Sequence, residues 1–169
     1  LPMMKMRFAE PPHLIDLNKI EQLRGVKEDG GVIKIGAMTC ENDVLSAELL
    51  KQKASLLPKA VKLIADPQVR NRGTIGGSLA NNDPSACYPA AVLGSGATII
   101  TSNRQIAADD FFEGMFATVL EEDEIITEVR FPVPEKAHYQ KFEQPASRFA
   151  LVAVFVAKYA DGVRVAVPG

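Results

Sequence analysis

Residues 68–80 have the sequence QVRNRGTIGGSLA, and an Asp-Pro pair follows at positions 83 and 84. Three of the 12 glycines in the chain fall within five consecutive residues of this stretch, at positions 73, 76 and 77. Clustered glycines allow backbone amides to approach a ligand closely and to point together at an anion. The stretch is therefore consistent with a phosphate-binding turn, and equally with a tight connection whose glycines adopt positive φ angles.

The glycine spacing matches neither of the two common nucleotide-binding motifs. A dinucleotide-binding motif needs Gly-x-Gly-x-x-Gly directly after a strand, and a P-loop needs Gly-x-x-x-x-Gly-Lys followed by Ser or Thr. Here a predicted helix and a polar loop precede the glycines. The sequence therefore disfavours both a Rossmann fold and a P-loop.

A serine hydrolase is a second interpretation of the same residues. Residues 76–80 approximate a nucleophile elbow, with Ser78 as the nucleophile and His138 as its base. That motif requires a strand immediately before the serine, whereas polar residues that include Arg70 and Arg72 precede it. We expect Ser78 to form hydrogen bonds, and we expect the two arginines to cap helix carbonyls or to face solvent.

The composition limits the possible classes of protein. With 169 residues, of which 47% are hydrophobic, the chain can form one core or two small units. The net charge of −2 provides no basic field for nucleic acid, and the longest apolar run has nine residues, where a membrane span needs about 20. No signal-peptide pattern leads the chain, and we expect a cytoplasmic protein.

The chain has few residues that bind metals or act as nucleophiles. Two cysteines and two histidines without Cys-x-x-Cys spacing cannot form a four-ligand zinc or iron–sulfur site, so we predict no metal site. No basic residue adjoins Cys40 or Cys87 in sequence, and we interpret both as small buried residues. The acidic run at 121–124 is interpreted as a solvated face.

The hydrophobic pattern predicts a mixture of helices and strands. Helices are predicted over 40–52, with Thr39 as N-cap, and over 56–66 and 88–93. Strands are predicted over 13–17, 32–36, 97–101, 105–107, 125–131, 139–142, 151–159 and 163–167. This order predicts an α+β fold, with a second unit that begins near residue 135 after Pro132-Val133-Pro134.

Residues 68–80, with the Asp-Pro pair that follows, resemble the FAD-binding medium subunit of the molybdenum hydroxylases. Xanthine dehydrogenase and aerobic carbon monoxide dehydrogenase belong to this family. The resemblance continues, in the order that the family has, through residues 14–17, 35–39, 123–132 and 139–142.

The resemblance implies a fold in two parts. Residues 1–134 would form an FAD-binding domain of the vanillyl-alcohol-oxidase (PCMH) type, with most of its first subdomain missing and its second subdomain beginning at about residue 24. Residues 135–169 would begin a C-terminal α+β domain like that of the carbon monoxide dehydrogenase flavoprotein. The family's leading Ala-Gly-Gly-x-Ser motif does not occur in the chain, and we expect a chain truncated at both ends.

The resemblance also implies a set of residues that bind the cofactor. Five consecutive residues would wrap the FAD pyrophosphate with amides and hydroxyls: Thr74, Ile75, Gly76, Gly77 and Ser78. Three further residues would contact the cofactor: Ile64, Asp83 and Ile126. Relatives often carry Asp at the position of Cys87, and a thiol is a poorer hydrogen-bonding group than a carboxylate. No catalytic acid or base is assigned, because the flavin carries the electron chemistry.

By the same resemblance, the partners would be a molybdopterin-binding large subunit and a small subunit with 2Fe-2S clusters. FAD would pass electrons from the iron–sulfur partner to an external acceptor. Some relatives have Lys near the position of Glu143, so the acceptor is not indicated. The substrate is not indicated either, because in this family the molybdenum subunit determines specificity. The alternative is a non-catalytic structural or interaction module with the same fold that has lost flavin binding.

Overall fold

The structure is a computed structural model that describes residues 2–167. The helices in this range are α1 (Pro2–Lys5), α2 (Glu41–Ser46), α3 (Glu48–Lys53), α4 (Leu56–Lys62), α5 (Pro67–Arg70), α6 (Ile75–Asn81) and α7 (Cys87–Ser95). The strands are β1 (Val26–Asp29), β2 (Val32–Gly36), β3 (Thr98–Thr101), β4 (Gln105–Ala107), β5 (Phe112–Gly114), β6 (Ala117–Thr118), β7 (Ile126–Pro132), β8 (Lys136–Glu143), β9 (Ala150–Tyr159) and β10 (Gly162–Ala166). Short 3-10 turns lie at Glu21–Leu23 and Ala108–Asp110.

A five-stranded antiparallel sheet forms the centre of the first part of the chain. Its strand order is β1-β2-β7-β3-β4. The alternation predicted for 32–36 is confirmed, because Ile33 and Ile35 are fully buried and pair with Phe131 and Val129 of β7. Helices α6 and α7 both contact β7, so the glycine-rich segment is held against the central strand.

The β1–β2 connection is a two-residue hairpin turn. Gly30 and Gly31 have φ angles of +59° and +79°. Two consecutive positive φ angles match the right-handed twist of the flanking strands and strongly favour glycine. The Gly-Gly pair therefore forms the tight turn that joins β1 to β2.

A second, three-stranded antiparallel sheet has the order β10-β9-β8. Helix α7 packs against β9 and β10, and Phe155 of β9 lies so close to Gly94 that a side chain there would collide with its ring. The first sheet ends at Pro132 and the second begins at Lys136. The mixed order of elements confirms the α+β class, while the domain limit at 134 stays a prediction.

The helix predicted over 40–52 is two helices that meet at Ala47, where ψ is 109°. Val44 and Leu50 are both fully buried. At 100° per residue they would point about 120° apart on one straight helix, so the break allows both to face the core. Thr39 does not cap α2, because its hydroxyl accepts a hydrogen bond from the Gly25 amide at 2.9 Å and donates to the Gly25 carbonyl at 3.1 Å.

The helix predicted over 56–66 ends four residues earlier, at Lys62. Ala65 adopts a left-handed φ of +36°. The carboxylate of Asp66 accepts a hydrogen bond from the Val69 amide at 2.9 Å and caps α5. The strand predicted over 13–17 is wrong: those residues form no regular element, and no neighbouring strand offers them a ladder of hydrogen bonds.

One residue of the acidic run is buried and does not belong to a solvated face. The Glu124 side chain has no exposed surface and accepts hydrogen bonds from Arg104 Nε at 3.0 Å and Nη2 at 2.9 Å. Thr101 Oγ1 and the Glu121 amide also donate to it, at 2.5 and 3.0 Å. The Arg104, Thr101 and Glu121 hydrogen bonds lower the pKa of Glu124 to about 2.

Candidate functional site

The glycine-rich segment forms the start of helix α6, which Thr74 caps. The Thr74 hydroxyl accepts a hydrogen bond from the Gly77 amide at 3.2 Å, and the Thr74 carbonyl accepts one from the Ser78 amide at 3.0 Å. A Thr N-cap satisfies an amide that would otherwise have no partner in the first turn. The segment interpreted as a phosphate-binding turn or a tight connection is therefore helical from Ile75 onward.

Two of the five predicted pyrophosphate-binding residues face inward. Ile75 is fully buried, and Gly76 is buried with its amide donating to the Ala37 carbonyl at 2.9 Å. A Cβ on Gly76 would lie 2.7 Å from the Ala37 Cβ and 2.9 Å from the Ala37 oxygen. Gly76 therefore serves the close approach between α6 and the segment that follows β2.

The other three residues form the outer surface of this turn. Gly77 is exposed, whereas Thr74 and Ser78 are half-buried. A Cβ on Gly77 would meet only Thr74 Oγ1 within 4 Å, at 3.0 Å. A backbone without a side chain thus lies open between two hydroxyl-bearing residues, and this arrangement fits a polar group such as a phosphate ester.

A cavity of about 180 Å³ lies next to this turn. Ser78 and Ile64 of the predicted set line it, together with Val69 and with Phe149 near the start of β9. Its wall also includes residues from the β8–β9 turn, among them Ser147 and Arg148. The cavity therefore lies between the helices of the first part of the chain and the second sheet.

Six of the eight predicted site residues do not line this cavity: the four at positions 74–77, Asp83 and Ile126. The Asp83 carboxylate accepts a hydrogen bond from the Ser85 amide at 2.9 Å, in a local turn. Ile126 is buried at the start of β7, and the backbone carbonyl of its neighbour Thr127 accepts a hydrogen bond from the Ala37 amide at 3.0 Å. Ala37 therefore connects the strand that carries Ile126 with the turn that carries Gly76.

Glu41 is a cavity residue that the sequence analysis missed. Only 4% of its surface is exposed, and its Oε2 atom has no hydrogen-bond partner. Burial raises the pKa of Glu41 to about 7, and the nearby Arg70 opposes this change. A glutamate in the first turn of a helix gave no sequence signal other than a favourable interaction with the helix dipole.

Lys141 reaches from the second sheet to the end of helix α4. Its Nζ donates to the Leu63 carbonyl at 2.8 Å and lies 3.6 Å from Cys87 Sγ. Arg24 Nη1 similarly lies 4.0 Å from the sulfur of Cys40. Cys87 is buried and Cys40 is half-buried. No basic residue is adjacent to either cysteine in sequence, but in the folded chain each sulfur has a basic side chain close to it.

The geometry contradicts the hydrolase interpretation of Ser78. Helix α5 precedes the serine, not a strand, and Ser78 lies inside α6 and not at a strand-to-helix turn. The proposed base, His138, is an exposed residue of β8. The expectation for Arg70 is wrong, because its half-buried side chain donates from Nη1 to the Ile64 carbonyl at 2.6 Å, in the bend beyond the end of α4. Arg72 is exposed, as expected.

The described residues, 2–167, include neither a membrane-spanning helix nor a metal-binding cluster. No helix in this range has the length and apolar character to cross a membrane. The same residues contain no group of three or more His, Cys, Asp or Glu side chains that could hold a metal ion.

Comparison with known families gives a match over most of the chain. Residues 1–134 match the family described as the FAD binding domain in molybdopterin dehydrogenase. The carbon monoxide dehydrogenase medium chain of Hydrogenophaga pseudoflava is 49% identical over 136 residues, which are 78% of this chain and 47% of that relative. The nicotine 6-hydroxylase medium subunit of Paenarthrobacter nicotinovorans is 35% identical over 100% of this chain and 63% of its own length.

Solved structures show the same fold. A structure of carbon monoxide dehydrogenase from Hydrogenophaga pseudoflava matches 99% of this chain and 62% of that chain, with a TM-score of 0.91 and 41% identity. Quinoline 2-oxidoreductase from Pseudomonas putida 86 matches with a TM-score of 0.92 and 28% identity, over 99% of this chain and 62% of its own. The chain thus spans about half to three fifths of the length of these proteins.

Proposed function

The chain belongs to the FAD-binding domain family of the molybdopterin dehydrogenases, and we propose that its protein uses bound FAD to pass electrons between a partner and an external acceptor. The medium subunits of molybdenum hydroxylases are its relatives. FAD supplies the redox chemistry when it is bound, and the protein supplies binding, orientation and electrostatics. The following residues would provide these contributions.

The open turn at Gly77 is the observation that carries the proposal. A pyrophosphate needs donors and close access to the backbone, and the hydroxyls of Thr74 and Ser78 lie on either side of a position without a side chain. The amides of Gly76, Gly77 and Ser78 already have acceptors within the protein. We therefore assign the contact with the cofactor to the hydroxyls and to the exposed backbone of Gly77.

Ile64 and Ser78 would contact the cofactor from the cavity, where both already form part of the wall. The contribution of Ile75, Gly76 and Ile126 would be indirect, because they hold helix α6 against Ala37 and strand β7. Asp83 would hold the turn after α6 through its hydrogen bond to Ser85. The apolar residues among these would keep water away from the cofactor, and the packing of α6 would hold the Thr74 and Ser78 hydroxyls in position.

The partners in this proposal are a molybdopterin-binding large subunit and an iron–sulfur small subunit. The names of the relatives as medium chains support such an assembly. We propose that electrons enter from the iron–sulfur partner and leave to an acceptor outside the complex, in the cytoplasm. Co-purification of the three subunits tests the assembly, and cell fractionation tests the location.

The first test of the function is the flavin content of the full-length protein purified from its own cells. Heat denaturation releases a non-covalent flavin, which chromatography compares with FAD and FMN. We expect one FAD per chain. Protein without flavin would contradict the proposal and would favour a structural or interaction module that has lost flavin binding.

A further inference from the structure

Four buried side-chain atoms without a hydrogen-bond partner stand out among the described residues: Glu41 Oε2, Arg70 Nε, Tyr88 OH and Tyr139 OH. Unpartnered buried polar groups are rare in folded proteins, and each suggests a missing ligand or water. Burial, with the charges of Glu41 and Cys87, raises the pKa of Tyr88, and burial with Cys87 raises that of Tyr139. The four groups belong to α2, α5, α7 and β8, and each of these elements contributes a residue to the wall of the cavity described above.

Glu41 is the group among these four that lines the cavity. Its amide donates to the Gly73 carbonyl at 3.0 Å, which fixes the start of α2 against the glycine-rich segment. A Cβ on Gly73 would lie 2.6 Å from Glu41 Oε1, so the absence of a side chain at Gly73 makes room for the carboxyl group. The carboxyl group is thus enclosed on one side and reaches the cavity on the other.

The size of the cavity restricts what it can bind. Its volume of about 180 Å³ corresponds to roughly six water molecules at ~30 Å³ each. A site for a whole drug-sized ligand has about 300–1,000 Å³. The cavity can therefore take one ring or one phosphate group of a larger molecule that continues over the open turn at Gly77.

Charged and titratable groups from several elements lie near Glu41 or line its cavity. They are Arg70 of α5, Cys87 and Tyr88 of α7, Lys141 of β8, Arg148 of the β8–β9 turn and Cys40 before α2. Arg70 and Lys141 already donate to backbone carbonyls, and Arg148 is exposed. No cation among these is hydrogen-bonded to Oε2, so burial dominates and favours the uncharged acid near neutral pH.

We propose that Glu41 is a binding residue of this cavity, and that its protonated carboxyl donates a hydrogen bond to an oxygen or nitrogen acceptor of the bound dinucleotide. This inference rests on the proposed FAD binding. Cofactor that fills the cavity removes water from Glu41 and brings an acceptor or a negative charge, and both effects favour the protonated form. Binding therefore takes up one proton at pH values above the pKa of the free protein.

The test is the pH dependence of FAD affinity in the full-length protein freed of flavin. Fluorescence titration at pH 6 to 9 should show a Kd that rises with pH above 7, by up to about 50-fold between pH 7 and pH 9 for one coupled proton. Glu41→Gln retains a donor that does not titrate, so its Kd should stay constant over this range. Glu48→Gln, at an exposed helix position, should behave as the wild type.

Three results would overturn the inference: a wild-type Kd that is independent of pH, a Kd that falls as pH rises, or the same slope in Glu41→Gln. Calorimetry of wild-type binding at pH 7.5 in two buffers of different ionisation enthalpy measures proton uptake directly and remains decisive if the variant does not fold. Uptake of about 0.8 proton supports the inference, because about three quarters of the Glu41 carboxyls are ionised half a pH unit above a pKa of about 7, and no uptake contradicts it. Failure of the wild type to bind FAD at every pH would instead contradict the proposed function.

Discussion

Single replacements of Gly76 and Gly77 by alanine should separate the packing role of one glycine from the surface role of the other. A Cβ at Gly76 would lie 2.7 Å from the Ala37 Cβ, about 0.7 Å short of ordinary contact. Overpacking of this kind costs about 1–3 kcal/mol, and displacement of α6 would also weaken the Gly76–Ala37 hydrogen bond, worth about 1 kcal/mol. Better helix propensity returns up to ~1 kcal/mol, so we expect a net loss of about 1–3 kcal/mol.

Gly77→Ala should leave the stability unchanged or raise it by up to ~1 kcal/mol, because alanine favours the helix and the added Cβ meets only Thr74 Oγ1. Urea unfolding of the flavin-free protein, followed by circular dichroism, measures both changes. Gly77→Val, which places a branched side chain on the open turn, should reduce FAD retention while the protein stays folded. Equal destabilisation by the two alanine variants would refute this division of roles, and full flavin occupancy in Gly77→Val would refute the open turn as a binding surface.

Three further changes test hydrogen bonds on which the fold depends. Thr74→Ala should lower the free energy of unfolding by about 1 kcal/mol through loss of the N-cap, and serine at this position should restore most of it in the same urea assay. Asn82 has a φ of +44° and donates from Nδ2 to two backbone carbonyls, at 2.7 and 2.8 Å, so Asn82→Ala should cost about 2–3 kcal/mol in thermal unfolding and glycine about 1 kcal/mol less. The folded pKa of Glu124 is about 2, against an ordinary value of 4.5, so its contribution to stability is complete above pH 4.5 and is lost as the pH falls towards 2. Urea midpoints measured from pH 2 to 7 should show this loss of stability. The midpoints of Glu124→Gln should depend less on pH.

The contrast between Glu41 and Glu124 shows how position decides the chemistry of one residue type. Both side chains are buried, yet the hydrogen bonds from Arg104, Thr101 and Glu121 hold Glu124 in its charged form. Glu41 has no partner at Oε2, and burial favours its neutral form. Neither state was evident from sequence, where both residues appear beside other acidic or polar residues.

Most strands were predictable because each depends on local alternation and on nearby turn residues. The prediction for 32–36 agrees with β2 at both ends, and that for 151–159 differs from β9 by one residue. The helix over 40–52 was predicted as one element because helical periodicity does not register a single extended residue such as Ala47. The strand over 13–17 failed because β structure requires a partner strand, and the local sequence carries no information about one.

The sequence alone determined the family and the α+β order, because a glycine-rich segment with the right neighbours and the alternation of apolar residues are local properties of a chain. Only the tertiary structure decided which glycine packs and which lies open, and it alone placed Lys141 beside Cys87, 54 residues away in sequence. The burial of a side chain depends on contacts with segments that are distant in sequence. The ionisation of Glu41 and the shape of the cavity therefore exist only when α2, α5, α7 and β8 have come together.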